Sequence, residues 1–282
     1  MKNRLLQTLA VGLPLTSIPL FAQDGHRPEP PMAGVHWAKG EAPTGQAGTS
    51  PNLNYHSGPI MPTAVVQPIF WGPSWSSSDP ISTSLSSYIA AYGGSGEYNV
   101  ITQYSGIQKS SLATGVVYDS STPPTNVTDA AVQAEVTKYF PTADTSTIYE
   151  VFLPSGSYSS DGSATSCGGT PLQYCAYHGN FSQGGRDVKY AAMPYPSCGG
   201  CQTAGFNDIQ NFEHFISHET REAVTDEDGN AWYDYRGYEA DDKCAWSPTP
   251  FTDSTVGTNA DGSAFAYQYE WSNAISGCAK TR

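Results

Sequence analysis

Apolar and polar positions along this chain fall into two alternating rhythms. Ala64 to Gly72 is an apolar run broken only by Gln67 and Pro68, and it reads as a buried strand in which the proline is the weak point. Ser76 to Asp79 supply helix caps, Pro80 suits a first turn, and Ile81, Leu85, Tyr88, Ile89 and Tyr92 follow at helical spacing until Gly93 and Gly94. Thr114 to Tyr118 reads as a strand. Thr128 and Asp129 cap a second helix with Val132, Val136 and Phe140 on one face, and Ile148 to Leu153 is a further buried strand ended by Pro154. Two more strands are expected near Cys175 to Phe181 and Val188 to Met193. The longest helix is expected over Phe206 to Thr225, capped by Asn207 or Asp208, with Ile209, Phe212, Phe215, Ile216, Ala223 and Val224 as its apolar positions. Strands alternating with helices predict an α/β (α+β) fold, a mixed sheet flanked by helices, with Cys-rich and Gly-rich loops between Gly156 and Gly200.

The N-terminal stretch has neither rhythm. Lys2 and Arg4 precede a mostly apolar segment to Phe21, with the small Ala22 before Gln23, which is the layout of a secretory signal peptide over residues 1–22. Residues 23–52, rich in Pro, Gly, Ala and His, read as a disordered or loosely attached arm. A single domain is expected over residues 53–282. Removal of residues 1–22 leaves 11 basic and 26 acidic residues, a net charge of −15. That balance argues against nucleic acid or an anionic membrane as a partner, since both call for a basic face. Extracellular or periplasmic localisation is expected. The six cysteines then read as three disulfides, and proximity favours Cys167–Cys175, Cys198–Cys201 and Cys244–Cys278. A zinc site on Cys198 and Cys201 is the rival reading.

Chemistry concentrates on the longest helix. His214, His218 and Glu222 recur every four residues and form one stripe, with Glu219 on its flank. His218-Glu219-x-x-Glu222 is similar to the metalloprotease motif His-Glu-x-x-His with a carboxylate in the second ligand position, a zincin-like helix. Residues four apart can ligate one ion from a single helix, and the intervening Glu can take a proton from metal-activated water. Glu239 is the expected third ligand, with Asp242 or Asp241 as an alternative ligand or a support behind it. A solvated helix face is the plain alternative for this stripe. Asp226 to Asn230 is an oxygen-rich loop that suits calcium but lacks the full EF-hand spacing, and a solvated turn is preferred there. His178 and His56 read as structural residues.

Several segments together resemble the secreted exordium family, also called the phosphate-induced protein family. These are Leu53 to Pro59 with Ile69 to Gly72, Cys175 to Phe181 with Val188 to Tyr190, Cys198 to Cys201, and Tyr267 to Ser272 with Cys278. Its bacterial members carry a Ser-His-Glu-x-x-Glu-Ala-x-Thr-Asp stretch, matched by Ser217, His218, Glu219, Glu222, Ala223, Thr225 and Asp226. They follow it with a pattern matched by Trp232, Tyr233, Asp234, Glu239, Asp242 and Cys244, while Glu227 stands where a Pro is usual. The resemblance implies secretion and a cell-wall or extracellular setting. It does not supply a settled activity. The expectation from the residues is a zinc-dependent hydrolase, most readily a peptidase, acting on an extracellular peptide or cell-wall polymer. The alternative is a non-catalytic protein that binds cell-wall carbohydrate or peptide.

Overall fold

The computed structural model describes residues 34–42, 51–110, 112 and 115–282. The expected signal peptide and part of the expected arm lie outside the described residues. The core is a six-stranded mixed sheet built from β1 (Gly34–Trp37), β2 (Val65–Trp71), β3 (Val117–Asp119), β4 (Thr147–Phe152), β5 (Tyr174–Gln183) and β6 (Arg186–Met193). Their spatial order is β1-β5-β6-β4-β2-β3. β3, β2, β4 and β6 run parallel to one another, whereas β5 is antiparallel to β6 and β1 antiparallel to β5. Gly184 and Gly185, both at positive φ, supply the two-residue turn that lets β5 and β6 pair as a hairpin. Pro68 is tolerated inside β2 because β3 begins to pair only at Ile69, so the strand is still an edge at the proline.

Helix α2 (Asp129–Tyr139) covers one face of the sheet, with Val132 and Val136 against Ile69, Tyr149, Val151 and Tyr190. Helices α1 (Pro80–Tyr92) and α3 (Asp208–Thr225) cover the other, against Val66, Phe70, Ile148, Phe152, Ala191 and Met193. The expected caps are the ones used: Asp79 accepts from Ser82 N and Thr128 from Ala131 N. Asn207 forms a reciprocal capping box with Gln210. No helix among the described residues is long and apolar enough to cross a membrane.

Three sequence expectations change here. The segment read as a loose arm contributes β1, so the ordered chain includes Gly34 to Trp37, which pairs with β5 from Gly34↔His178 to Trp37↔Tyr174. Four residues were too short a stretch to show a period, and their pairing partner lies some 140 residues away. Second, the alternative of a solvated face on α3 drops out: every residue from Ile209 to Thr225 is buried. The sheet holds one side, and α1 with the strand Ala264–Tyr267 holds the other. Third, the cysteines pair as Cys167–Cys198 and Cys175–Cys201, with only Cys244–Cys278 as expected from proximity. Two crossed bridges tie the turn at Cys198–Cys201 to the start of β5 and to the loop before it, a connection that spacing along the chain does not reveal. Both cysteines of that turn are therefore in disulfides, not in a zinc site. Three disulfides fit an oxidising compartment, extracellular or periplasmic.

Candidate metal centre

The stripe His214, His218 and Glu222 points from α3 toward the edge of the sheet formed by β1 and β5. The pairing register sets Gly34 of β1, His178 of β5, Ala191 of β6 and Glu150 of β4 in one row across the sheet. The polar members of this row face α3: Glu150 Oε1 accepts from Thr220 Oγ1 at 2.8 Å, and His178 Nδ1 lies 3.2 Å from Glu219 Oε2 and 3.9 Å from Glu222 Oε2. Gly34 is required by this closeness. A Cβ there would overlap the His178 ring and come within 2.9 Å of Glu222 Oε2.

The third wall is the segment Glu239 to Asp242, which folds over the C-terminal half of α3. Asp242 N donates to Glu222 Oε1 at 3.0 Å, and Glu239 N reaches Asp242 Oδ2 at 3.4 Å. The disulfide Cys244–Cys278 anchors the end of this segment.

Ligand-type atoms converge in three overlapping sets, each with its atoms within 4.8 Å of one another: His36, His218 and Glu219; His218, Glu222 and Asp242; His178, Glu222 and Glu239. His218, Glu219, Glu222, Glu239 and Asp242 are thus in the cluster, but their grouping differs from the expected one. His218 and Glu222 meet Asp242, the alternative ligand, while Glu239 meets Glu222 on the side of His178. Glu219 sits between His178 and the set of His36 and His218. Asp241 turns away and pairs with Arg221.

Two members had been assigned elsewhere. His178, read as a structural histidine, lies in the cluster. So does His36, from the segment read as a loose arm; its ring stacks on that of His218 at 4.2 Å between centroids, with Trp246 beside it at 5.1 Å. The alternation in Ala176 and His178 could have put that histidine on the α3 face of a strand, but nothing in the sequence says which helix would meet it.

The ligand-type atoms are held open by their surroundings. His218 Nδ1 and His214 Nε2 both meet Gln268 Oε1, at 3.0 and 2.9 Å, while Gln268 Nε2 donates to Asp241 O and Oδ1. A proton on His218 Nδ1 leaves the Nε2 lone pair facing the carboxylates, which is how a supporting carbonyl orients a metal-binding imidazole. His218 Nε2 and Glu222 Oε2 are 3.1 Å apart, yet neither atom makes a hydrogen bond. Donor atoms around one zinc ion at about 2.0–2.1 Å lie roughly 3.3 Å from each other, so this separation fits two ligands of a common ion. Glu219 Oε1 and Glu239 Oε1 are likewise buried without a hydrogen bond.

The electrostatics point the same way. Burial, with help from Glu222 and Asp242, pushes Glu219 well above the usual carboxylate range. Burial and the neighbouring Glu222 do the same to Glu239 and to Asp242, and burial takes Glu222 to about 8. On the imidazole side, burial lowers His218 to about 4 and, with the His218 ring adding to it, His178 to about 3. The protein alone therefore favours neutral imidazoles and disfavours carboxylate charge. Neutral imidazoles are the form that binds a metal, and a cation among the carboxyls would favour their charged form.

The loop Asp226 to Asn230 is not part of these sets. Asp226 is buried and accepts from Ala231 N, and Asp228 accepts from Asn180 Nδ2 at 2.7 Å and pairs with Lys189. Its carboxylates are taken up by protein donors, and Asp226 rises to about 7 through burial. A small cleft of about 100 Å³, lined by Asp226, Gly229, Tyr233, Gly237 and Glu239, reaches the cluster from outside. Glu239 is the cluster member on its wall. His56 stays at the surface, stacked on Tyr233.

No family model matches this chain, and no curated protein or solved structure aligns with it.

Proposed function

We propose that the chain is a secreted metal-dependent hydrolase, with zinc as its ion and a peptide as its substrate. The observation that carries the reading is the convergence of buried histidine and carboxylate atoms that make no hydrogen bonds, on a helix bearing His218, Glu219 and Glu222. His218, Glu222 and Asp242 would hold the ion. A mixed imidazole and carboxylate set suits zinc better than calcium, which takes oxygen ligands. When bound, zinc supplies polarisation of a carbonyl and acidifies water. Glu219 acts as the general base, its Oε1 buried without a hydrogen bond. It takes the proton of the attacking water and passes it to the leaving nitrogen as the C–N bond breaks. The resemblance to the exordium family supports an extracellular or cell-wall setting for the substrate.

One observation favours a second reading. The cluster is almost wholly buried, and the cleft leading to it is well below the roughly 300–1,000 Å³ of ordinary ligand pockets. A metal that only staples α3 to the sheet in a non-catalytic protein, binding peptide or carbohydrate elsewhere, would look like this. Glu219→Gln separates the two. In a hydrolase the variant keeps its zinc by elemental analysis and loses at least about 100-fold in turnover of a peptide library. Zinc retained with no turnover in either protein leaves the staple standing.

A further inference from the structure

The three ligand sets cannot all describe one ion, and their overlaps decide how many ions fit. The first two share His218. Its Nδ1 is engaged with Gln268, so it has one free nitrogen, Nε2, and a nitrogen carries a single lone pair. An imidazole nitrogen cannot bridge two ions, so these two sets are alternative descriptions of one place. The second and third sets share Glu222 instead. A carboxylate has several lone pairs and can serve two ions at once.

We propose that the site is dinuclear: one divalent ion lies with His218 and Asp242, a second with His178 and Glu239, and the Glu222 carboxylate is common to both. This rests on the metal-dependent reading above and extends it from one ion to two. Glu222 Oε2 lies between the two histidines, 3.1 Å from His218 Nε2 and 3.9 Å from His178 Nδ1, and makes no hydrogen bond. Glu239 Oε1, also without a hydrogen bond, is a buried acceptor on the His178 side.

Charge supports the count. Glu219, Glu222, Glu239 and Asp242 carry four negative charges when ionised, and two divalent ions balance them where one leaves half unmatched. The nearby cationic side chains form their ion pairs with other carboxylates: Arg221 with Asp241 and Glu270, Lys189 with Asp187 and Asp228, Lys243 with Asp234. Paired ions about 3.5–4 Å apart are a recognised arrangement for hydrolysis, one steadying the attacking oxygen and the other the leaving group. The Glu239 wall of the cleft places the second ion toward the outside, where a substrate would first meet it.

The test is stoichiometry. The full chain is purified from a secreting host, stripped with a chelator, and titrated with zinc alone, with bound metal read by calorimetry and elemental analysis. Two zinc ions per chain are expected. Glu239→Gln and His178→Ala should each bind one, with thermal unfolding confirming that they fold; the near-isosteric Glu239→Gln guards against a merely unfolded alanine variant. One ion per chain, lost in His218→Ala and kept in Glu239→Gln, would overturn the dinuclear proposal while leaving the single-ion hydrolase intact. No bound zinc overturns both. Two ions still bound by folded Glu239→Gln would overturn the assignment of the second site.

Discussion

Two groups of buried ionisable residues sit side by side on α3. Arg221 is fully buried, and its guanidinium pairs with Asp241 and, at 2.6 Å, with Glu270 Oε2, while also reaching the carbonyls of Glu97 and Gln268. Burial opposes its charge, but Asp241 and Glu270 outweigh that and its pKa rises. Three residues before it, His218 belongs to a group of imidazoles and carboxyls. One group holds a guanidinium paired directly with two of its carboxylates, and the other gathers its carboxyls around imidazoles. Burial alone does not mark a functional site. A buried group whose carboxylates share a guanidinium has a structural explanation, whereas one that sets imidazole and carboxyl atoms within 4.8 Å of one another has the donor set of a metal site.

The largest test breaks the Arg221 group. Arg221→Met leaves Asp241 and Glu270 buried without their cation and should cost about 3–5 kcal/mol in denaturant unfolding. Saturating zinc should not restore it, because Arg221 is not a ligand; restoration by zinc would mean that the two groups are one. Gln268 joins them, accepting from His218 and donating to Asp241. Gln268→Met should weaken zinc binding by about 10–100-fold, the usual effect of removing a group that orients a ligand. A competition titration showing unchanged affinity would remove Gln268 from the site.

A pH-dependent effect concerns a buried carboxyl outside both groups. Glu213, at the start of α3, is raised to about 9 by burial, against which the Ala266 N–H donates to its Oε2 at 2.8 Å. Its folded pKa lies above its unfolded one, so the folded state holds a proton that the unfolded chain releases. Its contribution is complete below about pH 4.5 and fades as pH rises toward 9. The slope is on the order of 1 kcal/mol per pH unit at most. Glu213→Gln should flatten the fall in unfolding free energy between pH 6 and 9. An equal fall in both proteins would show that Glu213 is ionised in the fold.

Much of this architecture is legible in short stretches of chain. The caps at Asp79, Thr128 and Asn207, the buried strand Ile148 to Leu153 and the histidine–carboxylate stripe of α3 obey rules that act within one helical turn or a few strand residues. Those local rules also put His218, Glu219 and Glu222 on one side of one helix, and the acidic run after it made Glu239 and Asp242 visible as candidates. They could not say which of the two would stand beside His218, because that depends on how residues 239–242 fold back over α3. The remaining pieces depend on chain closure over long distances. Pairing of β1 with β5 brings in His36 and sets Gly34 against His178, and crossed disulfides fix the turn that holds β5. The sequence by itself determined the helix and the donor atoms it carries. Only the tertiary structure decided which atoms share a space, because a coordination site is a matter of a few ångströms between segments far apart along the chain.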